Sequence, residues 1–106
     1  MSKSITLGQL LTELEAELKS LDLWQDNRPA AYKLRSEQPF CLDTLDFHQW
    51  LQFVFIEKLD MLIRHKHPLP DALCVLPMAE EVYKTSKKNV SRLLSILKNI
   101  DELFAH

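Results

Sequence analysis

Residues 6–21, TLGQLLTELEAELKSL, carry Leu7, Leu10, Leu11, Leu14, Leu18 and Leu21 at steps of three and four. With 3.6 residues per turn, that spacing draws one apolar stripe down a helix of about five turns. Thr6 followed by Gln9 resembles a capping box at its start, and Glu15 with Lys19 stands in the favourable i,i+4 order on the wet face. The same period returns from about Lys87, with Val90, Leu93, Leu94, Leu97, Ile100 and Phe104 inward and Ser91, Arg92, Lys98, Asn99 and Glu102 outward. Between them, Leu45, Phe47, Trp50, Leu51, Phe53, Val54, Phe55, Ile56, Leu59, Met61, Leu62 and Ile63 cover much of a circumference, which marks a central helix. Three long helices joined by short ones predict an all-α fold, a small helical bundle forming one domain over residues 1–106.

Composition agrees with that class. Of the 106 residues, 46% are apolar and 26% charged, as in an ordinary globular chain and unlike a disordered one. Gly8 is the only glycine, whereas hairpin sheets favour glycine in turns that need positive φ. Acidic residues interrupt the apolar pattern near the N-terminus, so neither a secretory signal nor a transit peptide is expected, and no apolar run reaches the length of a membrane span. Without an export signal, Cys41 and Cys74 are expected to be free thiols in a reducing cytoplasm.

From residue 24 to 42 the periodicity disappears, and Pro29, Pro39, Asp26-Asn27 and Ser36-Glu37 supply turn chemistry. So long a connection predicts a short helix, for which residues 30–35 are the candidate, with Trp24, Tyr32 and Phe40 as anchors to the core. Asp43 or Thr44 is then expected to cap the second long helix, with Asp46 in its first turn facing the positive end of the dipole. Arg64, His65 and Lys66 close that helix with positive charge before His67-Pro68-Leu69-Pro70 stops it. Pro70 and Pro77 each suit the first turn of a short helix, in the second of which Glu80 is spaced to pair with Lys84.

Gln38-Pro39-Phe40, Asp43-Thr44 and Trp50-Leu51-Gln52, followed by Pro68-Leu69-Pro70, Val75, Pro77 and Glu80-Glu81, make the chain similar over nearly its whole length to the YqcC-like family of small bacterial proteins. The resemblance implies an all-α bundle and no established biochemical activity. It also implies a link to RNA modification, because genes of this family often neighbour one for a tRNA pseudouridine synthase. The chain departs from the family pattern at Glu57, where proline would follow the isoleucine and kink the helix.

Several residue groups have the residue types of a functional site. Asp43, Thr44, Asp46 and His48, with Cys41 as a nucleophile, could form an acid–base cluster, but caps and dipole-matched carboxylates explain the same residue types, so no catalytic residue is assigned. His65, His67 and Cys74 lack the spacing of a zinc site, and no metal or cofactor is expected. Lys84, Lys88 and Arg92 would share a face if one helix ran through them, which makes RNA phosphate contact an alternative. Against it, the net charge is only −2 and Tyr83 is the one aromatic nearby for base stacking. Phe40, Asp43, Thr44 and Trp50 are the expected functional surface, because aromatics concentrate binding energy at protein interfaces. The expectation is a non-enzymatic cytoplasmic interaction module, possessing a protein partner such as a tRNA pseudouridine synthase or a second copy of itself, with membrane and nucleic acid not expected.

Overall fold

The computed structural model describes residues 3–105, and among these no strand occurs. Helix α1 spans Lys3–Ser20 and buries Leu7, Leu10, Leu11, Leu14 and Leu18 of the predicted stripe, while Leu21 lies just past its end and is half-buried. It begins ahead of Thr6, so the expected Thr6–Gln9 capping box lies inside the helix. Glu15 and Lys19 pair at 2.8 Å as the spacing required. The last helix, α5, spans Ser91–Phe104 and is the most extensive neighbour of α1. The two run antiparallel: Lys3 Nζ lies 4.9 Å over the Phe104 ring at one end, and Arg92 approaches Glu17 at 3.5 Å at the other. Leu93, Ile96, Leu97, Ile100 and Phe104 complete this dry interface. Ile96 is an addition to the predicted inward face.

The second long helix is a composite rod. Helix α2, Phe47–Trp50, continues through a π-helical stretch, Leu51–Ile56, into α3, Glu57–Arg64, with helical backbone angles at both junctions. In a π turn each N–H reaches the carbonyl five residues back, so the turn is wider by about one residue and re-aims the faces on either side of it. Five of the six π residues are buried, in keeping with a rod that is apolar around its middle. The Glu57 N–H donates to the Val54 carbonyl at the π-to-α junction, a bond that a proline there would lack. Residues of all these helices and of α4, Leu76–Tyr83, merge into one apolar cluster.

Two helix ends show how a chain with one glycine closes its turns. After α1, Asp22 adopts φ 60 and the Leu23 N–H returns to the Leu18 carbonyl at 2.8 Å. After α3, Lys66 adopts φ 56 and the His67 N–H returns to the Leu62 carbonyl at 2.9 Å. Both are six-to-one terminations that normally place glycine at the left-handed position. Pro77 sits in the first turn of α4 as predicted, but Pro70 starts no helix: residues 70–75 run without helical structure. Helix α4 stops at Tyr83 and α5 starts at Ser91, not at Lys87, so Lys84, Lys88 and Arg92 do not lie on one helical face.

Candidate functional site

The long connection after α1 is tied to the composite rod by side-chain amides. Gln52, the only buried polar residue among those described, accepts from the Gln25 N–H at 3.0 Å and donates to the Gln25 carbonyl at 2.8 Å. One amide thereby satisfies both backbone groups of a residue 27 positions away, which a ladder would otherwise have to do. Gln49 Nε2 adds a bond to Gln25 Oε1 at 3.0 Å. Outside this clamp, Arg28 Nη1 donates to both Glu57 carboxylate oxygens at 2.9 and 2.7 Å and its guanidinium lies 5.6 Å from the Phe53 ring centroid.

The connection then makes a 3-10 turn at Ala31–Arg35, inside the predicted segment, and a second at Pro39–Cys41. Phe40 (φ 58, ψ 16) and Cys41 (φ 52) are consecutive residues in the left-handed region, an arrangement that costs about 1 kcal/mol or more per residue. Hydrogen bonds hold them there. The Cys41 N–H donates to the Gln38 carbonyl at 3.0 Å, and the Cys41 carbonyl accepts from the N–H groups of Thr44 and Leu45 at 3.0 and 2.8 Å. The Thr44 hydroxyl crosses to the Lys33 carbonyl at 2.7 Å, while exposed Asp43 accepts from the Ser36 hydroxyl, whose oxygen accepts the Gln38 N–H at 3.0 Å.

This use of Thr44 moves the helix start. The cap is Asp46, not Asp43 or Thr44, and it forms a reciprocal capping box with Gln49, whose Oε1 accepts the Asp46 N–H at 2.8 Å. Of the expected anchors, Trp24 and Phe40 pack against the core, whereas Tyr32 is 64% exposed.

The constrained turn delivers Phe40 onto the rod. Its ring meets Trp50 edge-on at 4.8 Å and Phe47 at 5.9 Å; Trp50 in turn lies 5.3 Å from Phe55, all within the range of favourable aromatic pairs. Both Phe40 and Trp50 stay half-buried, so the cluster is partly surface. Beside it opens a groove of about 400 Å³, walled by Phe40, Trp50, Val54 and Phe55 on one side and by Pro70, Leu73, Cys74 and Val75 on the other, with Lys58 at the rim. Asp101 of α5 fixes the second wall, its carboxylate accepting the Val75 N–H at 3.0 and 2.8 Å and the Leu76 N–H at 2.8 Å, which caps α4 from a distance of 25 residues.

Titratable groups near the cluster respond to burial. The Tyr83 ring meets Phe47 edge-on at 6.0 Å, and its hydroxyl is buried with no hydrogen-bond partner among the described residues. Burial, with a smaller contribution from the Asp46 charge, pushes its pKa up to about 12. His48 is lowered from its ordinary value by burial, against an opposing pull from Asp46.

The other sequence candidates are dispersed or engaged. Lys84 pairs with Glu81 at 2.8 Å, not with Glu80, and Arg92 leans on Glu17. Cys41 is a buried free thiol and Cys74 an exposed one. Among the described residues no three His, Cys, Asp or Glu groups are placed to hold a metal, and no helix is long and apolar enough to cross a membrane. The second groove wall, Lys58 and the Gln25–Gln52 clamp were missed by sequence reasoning. Only Gln52 left a signal, as a lone polar residue among Trp50, Leu51, Phe53 and Val54.

The profile of the DUF446 family, described as tRNA pseudouridine synthase C, matches residues 6–103. The chain is 36% identical over 95 residues to the uncharacterised protein YqcC of Escherichia coli K12, covering 90% of this chain and 87% of that protein. An uncharacterised Haemophilus influenzae protein is also 36% identical, over 90% of this chain and 89% of its own length. A Pectobacterium carotovorum protein named tRNA pseudouridine synthase C is 27% identical over 96 residues, which is 91% of this chain but 26% of that protein. The solution NMR structure of Escherichia coli YqcC superposes with a TM-score of 0.85 at 33% identity, covering 99% of this chain and 90% of that one. The fold, the match over residues 6–103 and the close relatives agree: the chain belongs to the YqcC-like family.

Proposed function

We propose that this protein is a non-enzymatic interaction module that docks a protein partner in the groove beside Phe40 and Trp50, and that the partner is a tRNA pseudouridine synthase. The observation that carries the docking role is the strained Phe40–Cys41 turn. Two left-handed residues are held in place by hydrogen bonds and present a half-exposed aromatic cluster at the mouth of an apolar groove. Apolar grooves with few convergent polar groups are the usual form of a recognition site, and aromatics in them dominate binding energy. Of the four expected surface residues, Phe40 and Trp50 line this groove, Asp43 is exposed beside the turn and Thr44 holds the turn closed.

Support for the partner comes from the Pectobacterium protein, where a matching stretch occupies 26% of a chain named for the synthase. Two modules on one chain meet at an effective concentration of about millimolar, so a pair that also works as separate chains needs a docking surface in place of the linker. An acid–base enzyme built on Asp43, Asp46 and His48 has less support, since Asp43 is bonded to Ser36 and Asp46 serves the capping box. RNA contact through Lys84, Lys88 and Arg92 has less support as well, since two of the three already face carboxylates.

The test is calorimetric titration of the purified synthase from the same organism into the intact chain and into a Phe40→Ala, Asp43→Ala variant, after both are shown to unfold at similar temperatures. The reading expects saturable binding to the intact chain that is about tenfold or more weaker in the variant. Equal affinity for the two would contradict it.

A further inference from the structure

The groove is one half of a larger surface. On the other side of Val54 and Lys58 lies a second depression of about 450 Å³, lined by Arg28, Phe53, Glu57 and Met61 among others. Val54 and Lys58 line both depressions and so form the ridge between them. Along the composite rod, Trp50, Val54, Lys58 and Met61 follow one another at steps of four, four and three. Trp50 and Val54 are half-buried, and Lys58 and Met61 exposed. A ridge at that spacing with a furrow on each side has the shape that packs against a partner helix, whose own side-chain rows enter the furrows.

The charge on this face is specific. Glu57, the one carboxylate among the described residues that line either depression, is held by Arg28 at 2.9 and 2.7 Å. Lys58 makes no ion pair among the described residues. A partner covering the ridge therefore meets an apolar strip with one uncompensated positive charge at its centre, and burying that charge without a counter-charge is unfavourable.

We infer that the Trp50–Val54–Lys58–Met61 ridge and its two flanking depressions receive an amphipathic helix of the partner, whose apolar face carries a carboxylate opposite Lys58. This rests on the docking role proposed above and specifies the chemistry of what docks. The carboxylate sets register along the ridge, and the apolar side chains on either side of it enter the two depressions.

The test uses the full chain and the purified synthase, with Lys58→Glu, Lys58→Arg and Val54→Asp variants first checked for an unchanged unfolding temperature. Lys58→Glu and Val54→Asp are expected to weaken binding by about tenfold or more, while Lys58→Arg, which keeps the charge, stays within about twofold of the intact chain. Backbone amide shifts on titration are expected to concentrate on residues 50–61 and 70–75. Binding that ignores the Lys58 substitutions, with shifts confined to residues 38–50 and 70–75, overturns the helix-on-ridge inference and leaves docking in the groove standing. Equal loss with Lys58→Arg and Lys58→Glu overturns the carboxylate assignment. Concentration-dependent self-association abolished by Lys58→Glu makes the occupant a second copy and overturns the inference, and an absence of any binding to the synthase overturns both proposals.

Discussion

The α1–α5 interface and the groove side of the molecule are held together by different physics. Between α1 and α5 the contact is dry and repetitive, with Leu7, Leu14, Leu18, Leu93, Leu97 and Ile100 showing no exposure. On the groove side the chain is positioned by single polar contacts: the Gln52 amide on Gln25, the Thr44 hydroxyl on Lys33, and the Asp101 carboxylate on Val75 and Leu76. The first arrangement stabilises by area and tolerates small shifts. The second fixes the direction of particular segments and keeps aromatic surface half-open to solvent, as the proposed docking requires.

Substitution can separate the two. Leu14→Ala, in the dry interface, is expected to cost about 3 kcal/mol by leaving a cavity, and to lower the unfolding midpoint in denaturant while leaving affinity for a groove ligand unchanged in the folded fraction. Gln52→Leu keeps the volume but leaves the Gln25 N–H and carbonyl without partners. A loss of about 2 kcal/mol is expected, with faster amide exchange around Gln25 and little change in α1 or α5.

Tyr83→Phe removes a buried hydroxyl that bonds to nothing described, and should gain about 1 kcal/mol in the same denaturation experiment. It also changes the alkaline limit. With an unfolded pKa near 10 and a folded value of about 12, Tyr83 binds its proton more tightly in the folded state. Stability is therefore independent of its titration below pH 10 and falls as pH rises from 10 through 12, a fall the variant should not show. The smallest effects belong to the helix ends: Asp22→Gly and Lys66→Gly relieve left-handed backbone and should each gain about 0.5–1 kcal/mol, read as a raised melting temperature. If either of these instead altered binding, the division between the scaffold and the groove would be wrong.

The same division explains what could be read from the sequence. The α1 and α5 stripes were legible because burial against a neighbour imposes the 3.6-residue period on the residues themselves. The start of α2 was not, because Thr44 is taken by a carbonyl eleven residues away and Asp46 inherits the cap. The π stretch escaped because a segment that is apolar all round reads alike at either turn width. Phe40 and Trp50 were marked by residue type, but the 70–75 wall of their groove has no period and is held by Asp101 from another helix. The break between α4 and α5 separated three basic residues that a continuous helix would have aligned.

Hydrogen exchange of the folded chain with and without saturating synthase tests the central claim most directly. The account predicts added protection in residues 38–61 and 70–75, with α1 and α5 unchanged. Protection confined to the outer faces of α1 and α5, or to residues 84–92, would contradict it.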